Sequence, residues 1–178
     1  SGFAMVPTNA PHLAADELKR AVEELGLKGA MIHGMTNGEM VDGKSYWPIY
    51  ASAEQLDVPI YLHPADPDQD VTKRYYAPYN QSHPMLIRAG WGFGVETGTQ
   101  AIRLILSGIF NKHPNLKILL GHFGEALPFW MPRIHEALQR PGGKNVDFTG
   151  IFQQNFWVST SGFFSDNALD LCVSALKP

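Results

Sequence analysis

Short apolar runs alternate with longer amphipathic stretches along most of the chain. The runs are "GFAMVP" (2–7), "GAMIHG" (29–34), "VPIYLHP" (58–64), "KILLGH" (117–122) and "FWVSTSG" (156–162). Each is short, apolar and bounded by Gly or Pro, which predicts five buried strands. Between the first two runs, "NAPHLAADELKRAVEELGLKG" has Pro11 suited to a first helical turn and Gly26 as a terminator. Its Leu13, Leu18, Val22 and Leu25 recur at helical spacing. Further helices are predicted over "SYWPIYASAEQLD", over roughly 92–110, over 126–139, around 149–154, and from Ser165 toward the end. Residues 64–90 carry Asp66, Asp68, Asp70, Lys73, Arg74 and Arg88 among several Pro and Tyr. That is too long for a simple connector and predicts an insertion near a site.

Strand–helix alternation with continuous apolar strands is the signature of a parallel sheet covered by helices on its outer side. A doubly wound sheet and a (β/α)8 barrel both produce that order. The Gly-rich phosphate turn of a dinucleotide-binding sheet is matched poorly by "GWGFGVETG" at 90–98, which follows no suitable strand. The expected architecture is therefore an α/β chain of the (β/α)8 barrel type, with residues 1–178 as one domain. A closed barrel needs eight strands and usually about 250 residues. The pattern opens on a strand and stops just after a helix, so the expectation is the central part of a longer barrel, about five βα units with two open sheet edges.

Composition narrows the partners. The 178 residues carry a net charge of −3 and are 44% hydrophobic, which offers no basic surface for nucleic acid or an anionic membrane. No apolar run reaches membrane-spanning length. The single cysteine, Cys172, sits in "NALDLCVSAL", a buried-looking helix face, and fits a reducing compartment. A cytoplasmic protein is expected.

Two strands run into a histidine: His63 in "VPIYLHP" and His122 in "LLGH". In a parallel barrel all strand C-termini meet at one rim, where the chemistry sits. Adjacent strands lie about 4.8 Å apart, close enough for two such side chains to share an ion or substrate. A neutral imidazole is an ordinary ligand of zinc and of other first-row metals. A single strand-end histidine more often just caps its strand on a carbonyl; two at matching ends favour a metal site. Glu125 follows His122 by three residues across a turn that Gly124 permits. It could accept the other imidazole N–H and fix the tautomer, or simply open the next helix, or both. Arg133, two turns further on, could reach an anionic substrate or form a surface ion pair. The remaining histidines weigh less: His113 reads as a solvated connector, His83 and His12 as loop or first-turn residues, and His135 as helix exterior. Trp91 and Phe93 read as pocket wall or as core.

The stretches "GAMIHGMTNGEMVDGKSYWPIYASAEQLDVPIYLHPADP", "GWGFGVETGTQAIRLILSGIFNKHPNLKILLGHFGEALPFWMPRI" and "NFWVSTSGFF" resemble the amidohydrolase-related decarboxylases, among them those acting on γ-resorcylate, 2,3-dihydroxybenzoate and 5-carboxyvanillate. The resemblance implies a barrel binding one divalent metal ion, zinc or manganese, with no organic cofactor. It matches His63 to a metal-binding histidine, His122 and Glu125 to a catalytic pair, and Arg133 to a residue at the substrate or subunit contact. It gives His33 no ligand role. The family's Glu-x-His pair and late aspartate have no counterpart in these residues, so this stretch alone is expected to bind metal poorly and to be inactive. The implied reaction is non-oxidative decarboxylation of an aromatic or enoic carboxylate. Hydrolysis of an amide, ester or lactone on the same barrel is the rival, and a barrel serving only assembly is a third reading. Phe129 and Trp130 on an outer helix, together with the resemblance, imply a homodimer or homotetramer.

Overall fold

A computed structural model describes residues 2–177. Five strands form one sheet: β1 (Ala4–Met5), β2 (Ala30–His33), β3 (Ile60–His63), β4 (Ile118–Leu120) and β5 (Phe156–Val158). All neighbouring pairs are parallel, and the spatial order is β1-β2-β3-β4-β5. A doubly wound sheet reverses its strand order at a switch point. Here the order never reverses, so the sheet is a stretch of barrel wall.

Strand periodicity divides the two faces. Ala30, Ile32, Ile60, Leu62, Ile118, Leu120 and Phe156 are buried under helices. The alternate residues Met31, Tyr61 and Leu119 are only partly buried, and Trp157 is half exposed. Register aligns the rows: Ile60 pairs with Ile118, Leu62 with Leu120, and His33 with His63. The helix-covered face is the outside of the barrel wall, and the barer face is the inside.

The covering helices are α1 (Pro11–Glu23), α2 (Trp47–Gln55), α3 (Gly92–Leu106), α4 (Leu127–Leu138), α5 (Phe148–Asn155) and α6 (Asp166–Leu176). In α1 the buried stripe is Ala14, Leu18 and Ala21, at i, i+4 and i+7. Leu13 and Leu25, expected inside, are exposed. Leu13 lies off that stripe, and Leu25 follows the helix end at Glu23. α3 stops at Leu106 rather than 110, because Gly108 turns left-handed (φ 81°) and starts a separate turn over Ile109–Lys112. Phe152 stacks on Phe156 at 4.8 Å and Phe148 on Phe152 at 6.1 Å, locking α5 onto β5.

The 64–90 segment is a chain of single helical turns rather than open loop. Arg88 closes it by donating from Nε and Nη2 to the two Asp66 carboxylate oxygens, at 3.1 and 3.3 Å. His113 also departs from expectation. It is largely buried, and its Nδ1 lies 2.6 Å from Glu54 Oε2, while the Asn115 N–H donates to Glu54 Oε1 at 2.9 Å. This ties α2 to the approach into β4, at the end of the sheet away from the two site histidines.

Candidate active site

His63 is the last residue of β3 and shares the inner face with Tyr61, two positions earlier. Its Nδ1 lies 2.8 Å from the Pro64 carbonyl oxygen. A carbonyl only accepts, so Nδ1 carries the proton and Nε2 keeps its lone pair. His33, its register partner on β2, packs beside it with ring centroids 4.6 Å apart. Burial and the neighbouring His63 hold the His33 imidazole below its usual pKa.

β4 ends at Leu120, two residues before His122, so His122 stands in the following turn rather than on the strand. That turn is left-handed throughout. The φ angles of His122, Phe123, Gly124, Glu125 and Ala126 are 50°, 54°, 72°, 54° and 61°. Left-handed backbone costs roughly 1–2 kcal/mol for each residue with a side chain, so four such residues in one turn need strong support. Support comes from the neighbours. The Phe123 N–H donates to Ser159 O at 2.9 Å, the Gly124 N–H donates to Gly121 O at 2.7 Å, and the buried Phe123 ring packs on Phe163 at 5.4 Å.

This turn carries Glu125 back beneath His122. The His122 Nδ1 to Glu125 Oε1 distance is 2.7 Å. The carboxylate side chain is 4% exposed and the imidazole 32%. Helix α3 lies against the carboxylate, with the Cα of Gly94 open toward Glu125 Oε2. Burial pushes the Glu125 carboxyl above its ordinary pKa, and the hydrogen bond from His122 pulls it back only in part. With Nδ1 committed to Glu125, Nε2 is the remaining ring nitrogen, on the edge that faces Gly162. The rings of His63 and His122 are 6.4 Å apart, centroid to centroid. The structure therefore brings His63, His122 and Glu125 to one mouth of the inner face.

Sequence reasoning missed a third wall, made by the segment after β5. Ser159 donates its N–H to Leu120 O at 2.8 Å and accepts from Phe123. Gly162 has φ 71° and presents its bare Cα to the Cδ2–Nε2 edge of His122; a Cβ there would lie 2.8 Å from Cδ2. Ser161 Oγ is 3.4 Å from the Tyr61 hydroxyl. Tyr61 was readable from the period of two that it shares with His63; Ser161 and Gly162 carried no sequence signal. Arg133 is not part of this group: it is exposed on α4, its guanidinium 5.9 Å from the Trp130 ring. Trp91 is exposed and Phe93 partly buried at the start of α3.

Among the described residues no cluster of three or more His, Cys, Asp or Glu has the arrangement of a metal site. His63, whose Nδ1 is engaged by the Pro64 carbonyl so that Nε2 is the nitrogen left for coordination, fits a divalent cation as one ligand.

Comparison with known proteins identifies the family of the chain. The chain is 40% identical to the γ-resorcylate decarboxylase of Rhodococcus jostii, over 94% of its own length and 54% of the relative's. The solved 2,6-dihydroxybenzoate decarboxylase from Rhizobium superposes with a TM-score of 0.85 at 35% identity, covering 98% of this chain and 56% of that one. A dihydroxybenzoic acid decarboxylase from Polaromonas sp., solved with manganese and 2-nitroresorcinol, gives a TM-score of 0.86 at 37% identity, covering 98% and 55%. The chain thus spans about half the length of the relatives it matches. The amidohydrolase family profile matches residues 1–172, and with the parallel barrel wall and its rim histidines this establishes that the chain belongs to the amidohydrolase family.

Proposed function

We propose that the protein is a metal-dependent, non-oxidative decarboxylase of a hydroxybenzoate-like aromatic carboxylate. The observation that carries this reading is the His122–Glu125 pair at 2.7 Å, with the His122 ring 6.4 Å from that of His63 and its Nε2 left out of the pair. A bound divalent cation, zinc or manganese, supplies Lewis-acid polarisation of a substrate oxygen, and His63 would hold it through Nε2. His122 accepts the proton of a ring hydroxyl at Nε2 and returns it after the reaction. The buried Glu125 keeps the ring in the accepting tautomer and stabilises the imidazolium that forms. Electron density released from that oxygen favours protonation of the ring carbon that bears the carboxylate. That proton comes from a general acid, which solvent recharges. The C–C bond then breaks, its electron pair restores the aromatic ring, and CO2 leaves, so one proton is consumed per CO2 released.

Arg133, exposed beside Phe129 and Trp130 on α4, is assigned to a contact between subunits of a homodimer or homotetramer, where its charge reaches an anionic substrate. No helix among the described residues is long and apolar enough to cross a membrane. The reading places the enzyme in the cytoplasm, in keeping with its lone, buried Cys172.

The test is CO2 release by the intact, metal-loaded protein from a panel of hydroxybenzoates, run beside lactones and amides. CO2 from at least one hydroxybenzoate, with the lactones and amides left intact, is the expected outcome. Turnover confined to the hydrolytic panel would assign the barrel to hydrolysis, and turnover of neither would end the reading.

A further inference from the structure

Two hydroxyls on the inner face have no part in the reaction as described. Tyr61 lies one inner-face position below His63 on β3, its ring 5.6 Å from the His63 ring and 5.9 Å from Phe3. Ser161 lies beyond β5. The strand between them is β4, and the two side chains meet only because the residue that follows β4 is Gly121. A Cβ at Gly121 would lie 2.7 Å from the Tyr61 oxygen and 3.2 Å from Ser161 Oγ. The bare glycine opens a lane across the sheet at the level of the two imidazoles.

The lane is held in place. The Ser161 N–H donates to Ser159 Oγ at 3.1 Å, and Ser159 is bonded to Leu120 and to Phe123 of the left-handed turn. The next residue, Gly162, touches the His122 ring. Ser161 is thus tied to the same framework that sets His122. Its oxygen and that of Tyr61 are 3.4 Å apart, with Ser161 exposed and Tyr61 partly so. Good O–H···O bonds are about 2.7–2.8 Å long. The two hydroxyls do not saturate each other, and both can turn to a third oxygen lying about 2.8 Å from each.

We propose that Tyr61 and Ser161 are a donor pair that binds one oxygen of the substrate, a ring hydroxyl or a carboxylate, beside His63 and His122, and so fixes the orientation of the aromatic ring. The proposal rests on the decarboxylase reading for its substrate class. The pair is a specificity element: a site built to hydrogen-bond a substrate oxygen discriminates against analogues that lack it.

The experiment uses Tyr61→Phe, Ser161→Ala and the double variant of the intact protein. Each removes one oxygen, and Tyr61→Phe keeps the ring against Phe3. Two measurements are made: KM and kcat for the best hydroxybenzoate, and binding of resorcinol and of benzoate by equilibrium dialysis. Each single variant is expected to raise KM about five- to tenfold with kcat held within about twofold. The double variant is expected to fall well short of the product of the two, because both hydroxyls serve one oxygen. Weakened binding of resorcinol alone identifies the bound oxygen as a ring hydroxyl; weakened binding of benzoate alone identifies a carboxylate. Unchanged KM and unchanged binding of both probes in both variants would overturn the proposal while leaving the decarboxylase reading intact. A wild-type protein that releases no CO2 but binds a probe through these hydroxyls would overturn the decarboxylase reading and keep the donor pair. Wild type without turnover or binding would overturn both.

Discussion

Replacing His122 by Asn in the intact protein is expected to lower kcat for CO2 release by about 10²–10⁴-fold, the usual contribution of a positioned general acid–base group. KM is expected to change little, because the exchanged proton matters most in the transition state. The size of the effect follows from the geometry. Nδ1 of His122 is committed to Glu125 at 2.7 Å, so Nε2 is its only free acceptor, and the side chain remains partly open to the mouth. Asn can still donate toward Glu125 but cannot cycle a proton near neutral pH. Metal content is expected to stay at the wild-type level, since His63 is untouched. A variant with wild-type kcat and full metal content would remove His122 from the chemistry.

The second large effect is expected at His63. His63→Ala in the intact protein should weaken metal binding by at least about a hundredfold, beyond the 10- to 100-fold typical of losing a mere supporting hydrogen bond to a ligand. Activity should fall with it. Plasma-emission metal analysis after gel filtration, alongside CO2 release, measures both. Folding stability is expected to stay within about 0.5 kcal/mol of wild type, because the ring lies on the barer inner face rather than under the helices. Stoichiometric metal retained by the variant would show that His63 is not a ligand.

Much of this site was legible in the chain because it follows strand periodicity. "VPIYLHP" places His63 on the opposite face from Ile60 and Leu62, and the parallel pairing follows from repeated βα units, while the unreversed spatial order is settled only by the sheet itself. The Glu at i+3 from His122 correctly announced a partner. The hand of the turn that joins them was not legible. Phe123, Glu125 and Ala126 intrinsically favour right-handed backbone, and contacts with Ser159 and Phe163, far along the chain, help to hold the turn left-handed. The Tyr61–Ser161 pair was hidden for the same reason. It depends on residues 100 positions apart meeting across a glycine, and no local pattern encodes that. In α1, counting leucines misplaced the buried stripe because two of its three positions are alanines, Ala14 and Ala21. His113 looked solvated beside Lys112 and Pro114, yet Glu54 from α2 encloses it.

Nitrogen-15 NMR of the imidazole rings, recorded at pH 8 on the metal-free protein, decides whether His63 and His122 offer two unprotonated Nε2 atoms to one mouth. The expected spectrum has both rings protonated at Nδ1, both Nε2 signals in the lone-pair range, and ring-to-ring cross-relaxation between residues 63 and 122. A proton on Nε2 of either ring, or two rings with no mutual contact, would contradict the proposed site.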